Sequence, residues 1–328
     1  MASLDVLLVG LGSTQGLRAA EDELAGALRR AGASVAVARA ARPREVRTFA
    51  LTDLVWARAA RAAAVTALRE HDPRAVVYVS TTAALLWPRA GAIRFDAPAA
   101  ANRPGRHGVW QRPLERRRLR QAPLLVPQDP GALVEAGRPA RPAVVVPIPV
   151  EPSGPPAPVR DLAAVTYAAN PAKKGLDRVL AAWAAARRPG EELVVAGVDG
   201  DDAEGVRYAG MLAPADYRAL LRRARVYITA PRREDYGIAQ LEALADGCRV
   251  VTTPAPGPYA ALPLLRGGLG WVAGEAGLAA AVRAALDAAA TPDPGYAQRA
   301  LDAIAPFRRE AVDRVVATEL LPRLLRGG

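Results

Sequence analysis

The sequence predicts an α/β protein built as two doubly wound domains, and three observations carry that expectation. Its 328 residues, 51% hydrophobic and 5% aromatic, reach the length at which one core usually divides into two. Short apolar runs alternate with Ala-rich amphipathic stretches, the pattern of parallel strands joined by crossover helices. A Pro-rich segment interrupts the alternation near the middle, and the same pattern then starts again.

Taken in order, residues 4–10 (LDVLLVG) read as a first strand, followed by a helix over 17–30, a strand at 34–38 (SVAVA), a helix over 53–69 and a strand at 75–80 (AVVYVS). Further short strands are expected at 92–95 (AIRF), 123–127 (PLLVP) and 143–147 (AVVVP). The segment 147–159 (PIPVEPSGPPAPV) cannot join a helix or a central strand and reads as an interdomain linker. It separates an N-terminal domain, 1–150, from a C-terminal domain, 151–305. The second domain is expected to run through strands at 162–168, 192–197, 206–210, 225–230, 248–253 and 270–274, with helices over 176–188, 214–224, 237–246 and 276–289. Residues 306–328 form a C-terminal helix whose apolar face is Val312, Val315, Val316 and Leu320. That helix is expected to pack back on the N-terminal domain and to kink or end at Pro322. Two such domains facing a central crevice place ligand chemistry at the carboxyl ends of their strands.

Composition excludes several classes of function. A single cysteine, Cys248, allows no intramolecular disulfide framework and no thiolate cluster for zinc. With only His71 and His107, a multi-histidine metal site is impossible and a Ser-His-Asp triad is poorly supplied. A metal site built on histidine or cysteine is therefore not expected, and no cofactor is expected. The N-terminal stretch lacks a basic leader region, and no run of about 18 apolar residues is present to span a membrane, so the cytoplasm is the expected compartment. Net charge is +11, with 22 basic and 12 acidic residues in 1–150 against 22 and 21 in 151–328. Such asymmetry suits an anionic partner of the first half, or else arginine-rich codon usage throughout. Nucleic acid is not the expected partner, because the basic residues lack interleaved aromatics and match no known binding module.

The most informative segment is Arg233-Glu234-Asp235-Tyr236-Gly237-Ile238-Ala239-Gln240-Leu241-Glu242, set between an expected strand and an expected helix. Glu234 in the loop and Glu242 on the helix can face one elongated ligand at different points along it. The helix start near Gly237 offers free N–H groups and the positive end of a dipole, which suits phosphate. From spacing alone, a helix-capping Glu234 and a solvated Glu242 fit equally well. A second signal lies in the lysines. Among 44 basic residues only Lys173 and Lys174 are lysine, and they sit side by side between a strand and a helix. A compact, flexible ammonium suits a pyrophosphate; an exposed loop with two adjacent lysines is the simpler alternative.

Together, Lys173-Lys174-Gly175-Leu176-Asp177, the run 192–197, Arg207-Tyr208-Ala209-Gly210, and the stretch from Glu234 to Gly247 resemble the sugar-nucleotide glycosyltransferases of family four, the retaining group 1 enzymes of GT-B type with two Rossmann-like domains. The resemblance covers nearly all of residues 160–325. It implies that Glu234 contacts the donor sugar near the reacting carbon, that Glu242 meets the ribose hydroxyls, and that Lys174 meets the diphosphate, with Lys173 and Asn170 beside it. It also implies that backbone groups near Gly210, Met211 and Leu212 meet the base. Tyr236, Gly237 and Ile238 would line the phosphate side, and no metal is used. Two departures stand out: Ala169 occupies a position where many members carry an arginine, and Asp235 one where glycine is common.

In the first domain, Gly10-Leu11-Gly12-Ser13-Thr14-Gln15-Gly16 closes the first strand with glycines spaced one residue off the dinucleotide fingerprint. It reads as an ordinary tight turn or, at Gly12, as a loop approaching the donor diphosphate. The polar segment 93–110 contributes Asp96, Asn102 and His107 as acceptor-side candidates. The family's acceptor histidine is not evident there. Arg112, Arg116, Arg117, Arg118 and Arg120 have helical spacing and suit either an anionic lipid face or a solvated helix. The expected function is a metal-independent, retaining, hexosyl-type glycosyltransferase that moves a sugar from a nucleotide-sugar donor to a glycan or glycolipid acceptor, in bacterial cell-envelope synthesis at the inner face of the plasma membrane. The alternative is a catalytically silent sugar-nucleotide-binding or scaffold protein.

Overall fold

Among the described residues every named strand pairs in parallel with its neighbours, as apolar runs separated by helix-length stretches require. The computed structural model describes residues 4–43, 46, 48–103, 105–155, 159–291 and 293–326. The chain divides into two units, Met1–Pro149 with Arg309–Gly328, and Val150–Arg308.

The first unit contains β1 (Leu4–Gly10), β2 (Val35–Arg39), β3 (Pro73–Tyr78), β4 (Ala92–Phe95) and β5 (Leu125–Pro127), arranged in the order β2-β1-β3-β4-β5. Alternate side chains of β1 enter different cores, as the two-residue period of a strand dictates. Val6 and Leu8 pack with Leu24 and Leu28 of helix Gln15–Arg30, whereas Leu7 and Val9 pack with Ala60 and Ala64 of helix Phe49–Glu70. The first of these cores also takes in Val312, Val316, Leu320 and Leu324 from the end of the chain. Arg30 reinforces that contact by bonding Asp313 through two nitrogens at 2.7 Å.

Two expectations in this unit need correction. Residues 143–147 form no strand; Ala143 makes only an isolated bridge to Leu125, although Val144 and Val146 are buried and donate to the Leu125 and Pro127 carbonyls. Pro127 and Pro142 lack the N–H groups that a reciprocal ladder needs. Nor does Pro322 end the last helix. The turn Val316–Leu320 widens so that the Leu321 N–H reaches the Val316 carbonyl, and the helix continues as Leu321–Arg326. Widening the turn before the proline relieves the clash its ring would otherwise make.

The second unit contains β6 (Leu162–Tyr167), β7 (Leu193–Ala196), β8 (Val206–Gly210), β9 (Ala224–Thr229), β10 (Arg249–Thr252) and β11 (Gly270–Val272), in the order β11-β10-β9-β6-β7-β8. This is the strand order of doubly wound nucleotide-binding sheets, and it reverses between β6 and β9. Val179 and Trp183 of helix Leu176–Ala186 join Val282 and Leu286 of helix Leu278–Ala290 over Ala164, Val195, Val226 and Val251 of the sheet. The start of the Pro-rich segment is not loose. Val150 donates to the Phe307 carbonyl at 2.8 Å and Ser153 donates to Asp246 at 2.8 Å, both within this unit; residues 156–158 lie outside the described residues.

Cys248 sits in this core with its thiol against the Leu221 and Ala224 carbonyls, and burial pushes its pKa up to about 12. A buried, protonated thiol is a poor nucleophile. Disulfide reagents at pH 8 are therefore expected to leave the folded chain unmodified and to react stoichiometrically only after denaturant is added; rapid modification of the native chain contradicts this burial.

Candidate active site

Because the second sheet is wholly parallel, the loops after β6, β8, β9 and β10 all leave from one edge, and the crevice at its reversal point is where such sheets bind ligands. The loop after β6 carries Asn170, whose side chain accepts the Lys173 N–H at 3.0 Å and starts the single turn Pro171–Lys174. The loop after β9 carries Arg233 to Gly237.

These two loops are locked together by backbone as well as side chain. Gly175 has φ +65°, and a Cβ there would overlap the Ala230 carbonyl oxygen, so only glycine allows the approach. Arg232 donates through its backbone N–H to the Lys173 carbonyl at 2.9 Å and through its guanidinium to the Ala172 carbonyl at 2.8 Å. The same guanidinium bonds both carboxylate oxygens of Asp177, at 2.9 and 2.6 Å, and holds that carboxyl down at about 2.

Within this frame, Lys174 Nζ lies 2.7 Å from Glu234 Oε2 and Lys173 Nζ lies 2.6 Å from Asp235 Oδ2. Arg233 Nε approaches the other Asp235 oxygen at 2.7 Å. Glu234 is buried, 5% exposed, and Gln240 donates to the same oxygen at 3.3 Å. Gln240 in turn donates to the Tyr259 hydroxyl at 3.2 Å, which lies 2.6 Å from Thr252 Oγ1. Tyr259 has φ +48°, an unfavourable conformation for a bulky residue that these hydroxyl contacts help hold. The Glu234 N–H donates to the Pro256 carbonyl at 3.0 Å, and Gly257, at φ +118°, passes so close that a Cβ would overlap the Glu234 carbonyl oxygen.

Tyr236 and Gly237 are buried, and Gly237 opens helix Ile238–Ala245 with no side-chain cap. The first-turn N–H groups of that helix thus have no partner within it. Glu242 projects from the same helix, half-buried, with Arg218 Nη1 at 3.4 Å. Burial pushes its carboxyl above the ordinary range; Arg218 opposes that rise and Asp246 adds to it. Gly210 ends β8, followed by exposed Met211 and half-buried Leu212. That segment lies two strands beyond β6, roughly 10 Å along the edge at ordinary strand spacing.

The sequence-derived candidates in the first unit stand differently. The Gly12 N–H donates to buried Glu21 at 3.0 Å, and its carbonyl accepts from Arg18 at 2.8 Å, so this loop is closed by its own helix. Asp96 is exposed and accepts the Ala97 N–H at 2.7 Å. Asn102 ends the turn Ala99–Asn102, and His107 is exposed in the turn Gly105–Gly108. Among the five arginines, Arg118 stacks over Trp87 at 4.8 Å and Arg112 donates to the Gly105 and Gly108 carbonyls, leaving Arg116, Arg117 and Arg120 exposed.

Arg218, Arg232, Gln240 and Tyr259 were not foreseen. Nothing distinguishes two arginines among the chain's many, and each of these residues joins partners remote in sequence or on another element. Among the described residues no group of three or more His, Cys, Asp or Glu side chains is placed to hold a metal ion, and no helix is long and apolar enough to cross a membrane.

Residues 161–288, which carry the paired lysines, both glutamates and the loop after β8, match the family model described as Glycosyl transferases group 1. This segment is thus similar to the group 1 glycosyl transferases. Whole-chain similarity accompanies the group 1 match. Sucrose-phosphate synthase from Thermosynechococcus elongatus superposes with a TM-score of 0.77 at 14% identity, covering 99% of this chain and 100% of that one. Anabaena HepE in complex with UDP gives 0.71 at 16% identity, covering 97% and 99%. WaaG, a glycosyltransferase involved in lipopolysaccharide biosynthesis, gives 0.65 at 17% identity, covering 98% and 97%. Identities this low establish the fold alone, that of GT-B proteins with two Rossmann-like domains. No curated protein sequence matches the chain significantly.

Proposed function

We propose that the chain is a retaining, hexosyl-type glycosyltransferase that moves a sugar from a nucleoside-diphosphate donor to a hydroxyl of a glycan or glycolipid. The observation that carries this reading is the Lys174–Glu234 pair at the reversal point of the second sheet, 2.7 Å apart and within the group 1 segment. Lys174, the first-turn N–H groups after Gly237, and the backbone at Ile238 receive the diphosphate; Glu242 accepts the ribose hydroxyls; the backbone at Gly210, Met211 and Leu212 takes the base. Asn170 shapes the lysine loop, Tyr236 walls the phosphate side, and Gly12, Asp96, Asn102 and His107 remain the candidates contributed by the first unit. The acceptor oxygen bonds to the anomeric carbon on the face from which the diphosphate departs, and the departing phosphate oxygen takes the acceptor proton. Fixed cationic and N–H groups stabilise that departing charge, which supplies the counter-charge without a metal. The roughly 10 Å between β6 and β8 along the sheet edge suits the length of a nucleoside diphosphate.

The reading extends to a role in cell-envelope synthesis, in the cytoplasm beside the inner membrane face. The WaaG likeness supports the former, and exposed Arg116, Arg117 and Arg120 supply the charge for anionic lipid.

The test is nucleoside-diphosphate release from a panel of nucleotide sugars, together with donor affinity in two lysine variants. Lys174→Ala is expected to weaken donor binding by about tenfold or more, because it removes a cation from the diphosphate and leaves the buried Glu234 carboxylate unneutralised beside it. Lys173→Ala is expected to cost about threefold at most, because the Lys173 side chain is the more exposed of the two, 37% against 21%. Equal losses would make Lys173 a second phosphate ligand in the place left by Ala169, and no loss from either rejects the diphosphate site.

A further inference from the structure

Glu242 lies on helix Ile238–Ala245 and Asp246 caps its end four residues later, a spacing at which like charges repel. Both side chains are sheltered, Asp246 completely and Glu242 with 25% exposure. Two such carboxylates persist side by side only if a cation lies between them. Arg218, from helix Pro214–Arg223, is that cation. Its Nε sits 2.7 Å from Asp246 Oδ2, its Nη1 3.4 Å from Glu242 Oε1, and its Nη2 donates to the Glu151 carbonyl at 2.8 Å. The guanidinium is therefore spread over three directions, and the contact to Glu242 is the longest of them.

Its other two partners are themselves fixed. Asp246 also accepts the Ser153 N–H at 2.8 Å and the Ser153 hydroxyl at 2.9 Å, and Arg308 bonds the Glu151 carboxylate at 2.6 Å. The remaining groups acting electrostatically with Glu242 are the phenols of Tyr167, Tyr217 and Tyr227. None of these supplies a positive charge. We propose that Arg218 is the positioning residue for Glu242, holding its carboxylate at the angle and charge needed to accept the donor's ribose hydroxyls, with Asp246 and the Glu151–Ser153 segment fixing the guanidinium. This inference rests on the ribose assignment above.

The distinguishing readout is discrimination between ribose and deoxyribose. Lost packing weakens every nucleotide alike, whereas a misplaced Glu242 weakens only those whose 2′-hydroxyl it meets. UDP, GDP, ADP and CDP, each beside its 2′-deoxy counterpart, are titrated by calorimetry into the full chain as wild type, Arg218→Ala, Arg218→Lys and Glu242→Ala. For the base that binds, wild type is expected to prefer the ribose form by roughly tenfold. Arg218→Ala is expected to abolish the preference by weakening the ribose form alone, and Arg218→Lys to keep part of it, since an ammonium supplies charge without the fork that spans both carboxylates.

Equal weakening of both forms in Arg218→Ala, or an undiminished preference, overturns the proposal. Should the alanine variant fail to fold, an undiminished preference in Arg218→Lys overturns it equally. If Glu242→Ala loses the preference while both Arg218 variants keep it, the ribose assignment stands and only the role of Arg218 falls. If wild type shows no preference, binds no member of the panel, or Glu242→Ala retains the preference, the ribose assignment falls and takes this proposal with it.

Discussion

Glu234→Gln is expected to reduce sugar transfer by about a hundredfold or more while donor affinity stays equal or rises. The size follows from the proposed place of Glu234 beside the reacting carbon, where electrostatic groups typically contribute that much to the chemical step. The affinity change follows from the Lys174 contact at 2.7 Å: a neutral amide competes less well than a carboxylate for the ammonium, so the lysine turns more readily to an incoming phosphate. Folding should persist, because the amide keeps the size of the side chain and the Gln240 and Lys174 neighbours can still be bonded. Transfer rate, donor dissociation constant and melting temperature measured on one preparation separate these terms. Wild-type turnover rejects Glu234 as the reacting-centre residue, and a melting temperature that collapses with it returns Glu234 to a structural role.

Gly257→Ala is expected to be strongly damaging, costing about 2–4 kcal/mol of stability from overpacking and unfavourable φ combined. The added Cβ would meet the Glu234 carbonyl oxygen, and φ at this position is +118°. The backbone of Glu234 must then move, so transfer should fall even in whatever fraction stays folded. Gly267→Ala is the control, because a Cβ there meets nothing within 4 Å and the residue carries no positive φ. Equal melting temperatures for the two variants would mean that the loop after β10 yields without cost and does not brace Glu234.

Much of the fold was legible because parallel sheets buried on both faces leave a clear trace: largely apolar runs such as Leu4–Gly10, broken only by Asp5, and Leu162–Tyr167, broken only by Thr166, each followed by a helix. The failures share a cause in proline. At Pro127 and Pro142 a missing donor prevented ladder formation beside an otherwise strand-like run, and at Pro322 the helix absorbed the missing donor by widening one turn. Periodicity does not reveal which of these a proline will do, because the answer depends on what is packed against it.

The candidate site was legible where residue type itself was unusual. Two lysines in a chain that otherwise uses arginine drew attention, and the structure sets both against carboxylates about sixty positions away. Arg218 and Arg232 carried no such mark. Their work is to join Glu242 to Asp246 and the Lys173 loop to Asp177, and neither relation has a local spacing that could announce it. Gln240 sits two residues from Glu242 inside the most conspicuous motif, yet its role appears only once Tyr259 and Thr252 close around it.

The pairing of Lys173 with Asp235 and Lys174 with Glu234, with Arg233 also beside Asp235, leaves this loop cluster one net positive charge out of five formal charges. A pocket of bare ammonium groups would gather any small anion in its surroundings. Here an arriving phosphate must first displace a carboxylate, an exchange that returns little energy unless the ligand also anchors elsewhere. Inorganic phosphate and sulfate have no such second anchor, whereas a nucleotide brings a ribose and a base. With the diphosphate bound as proposed, resistance to fouling by small anions follows from the resting charge balance, because the first contact alone returns little free energy, rather than from excluding competitors through size.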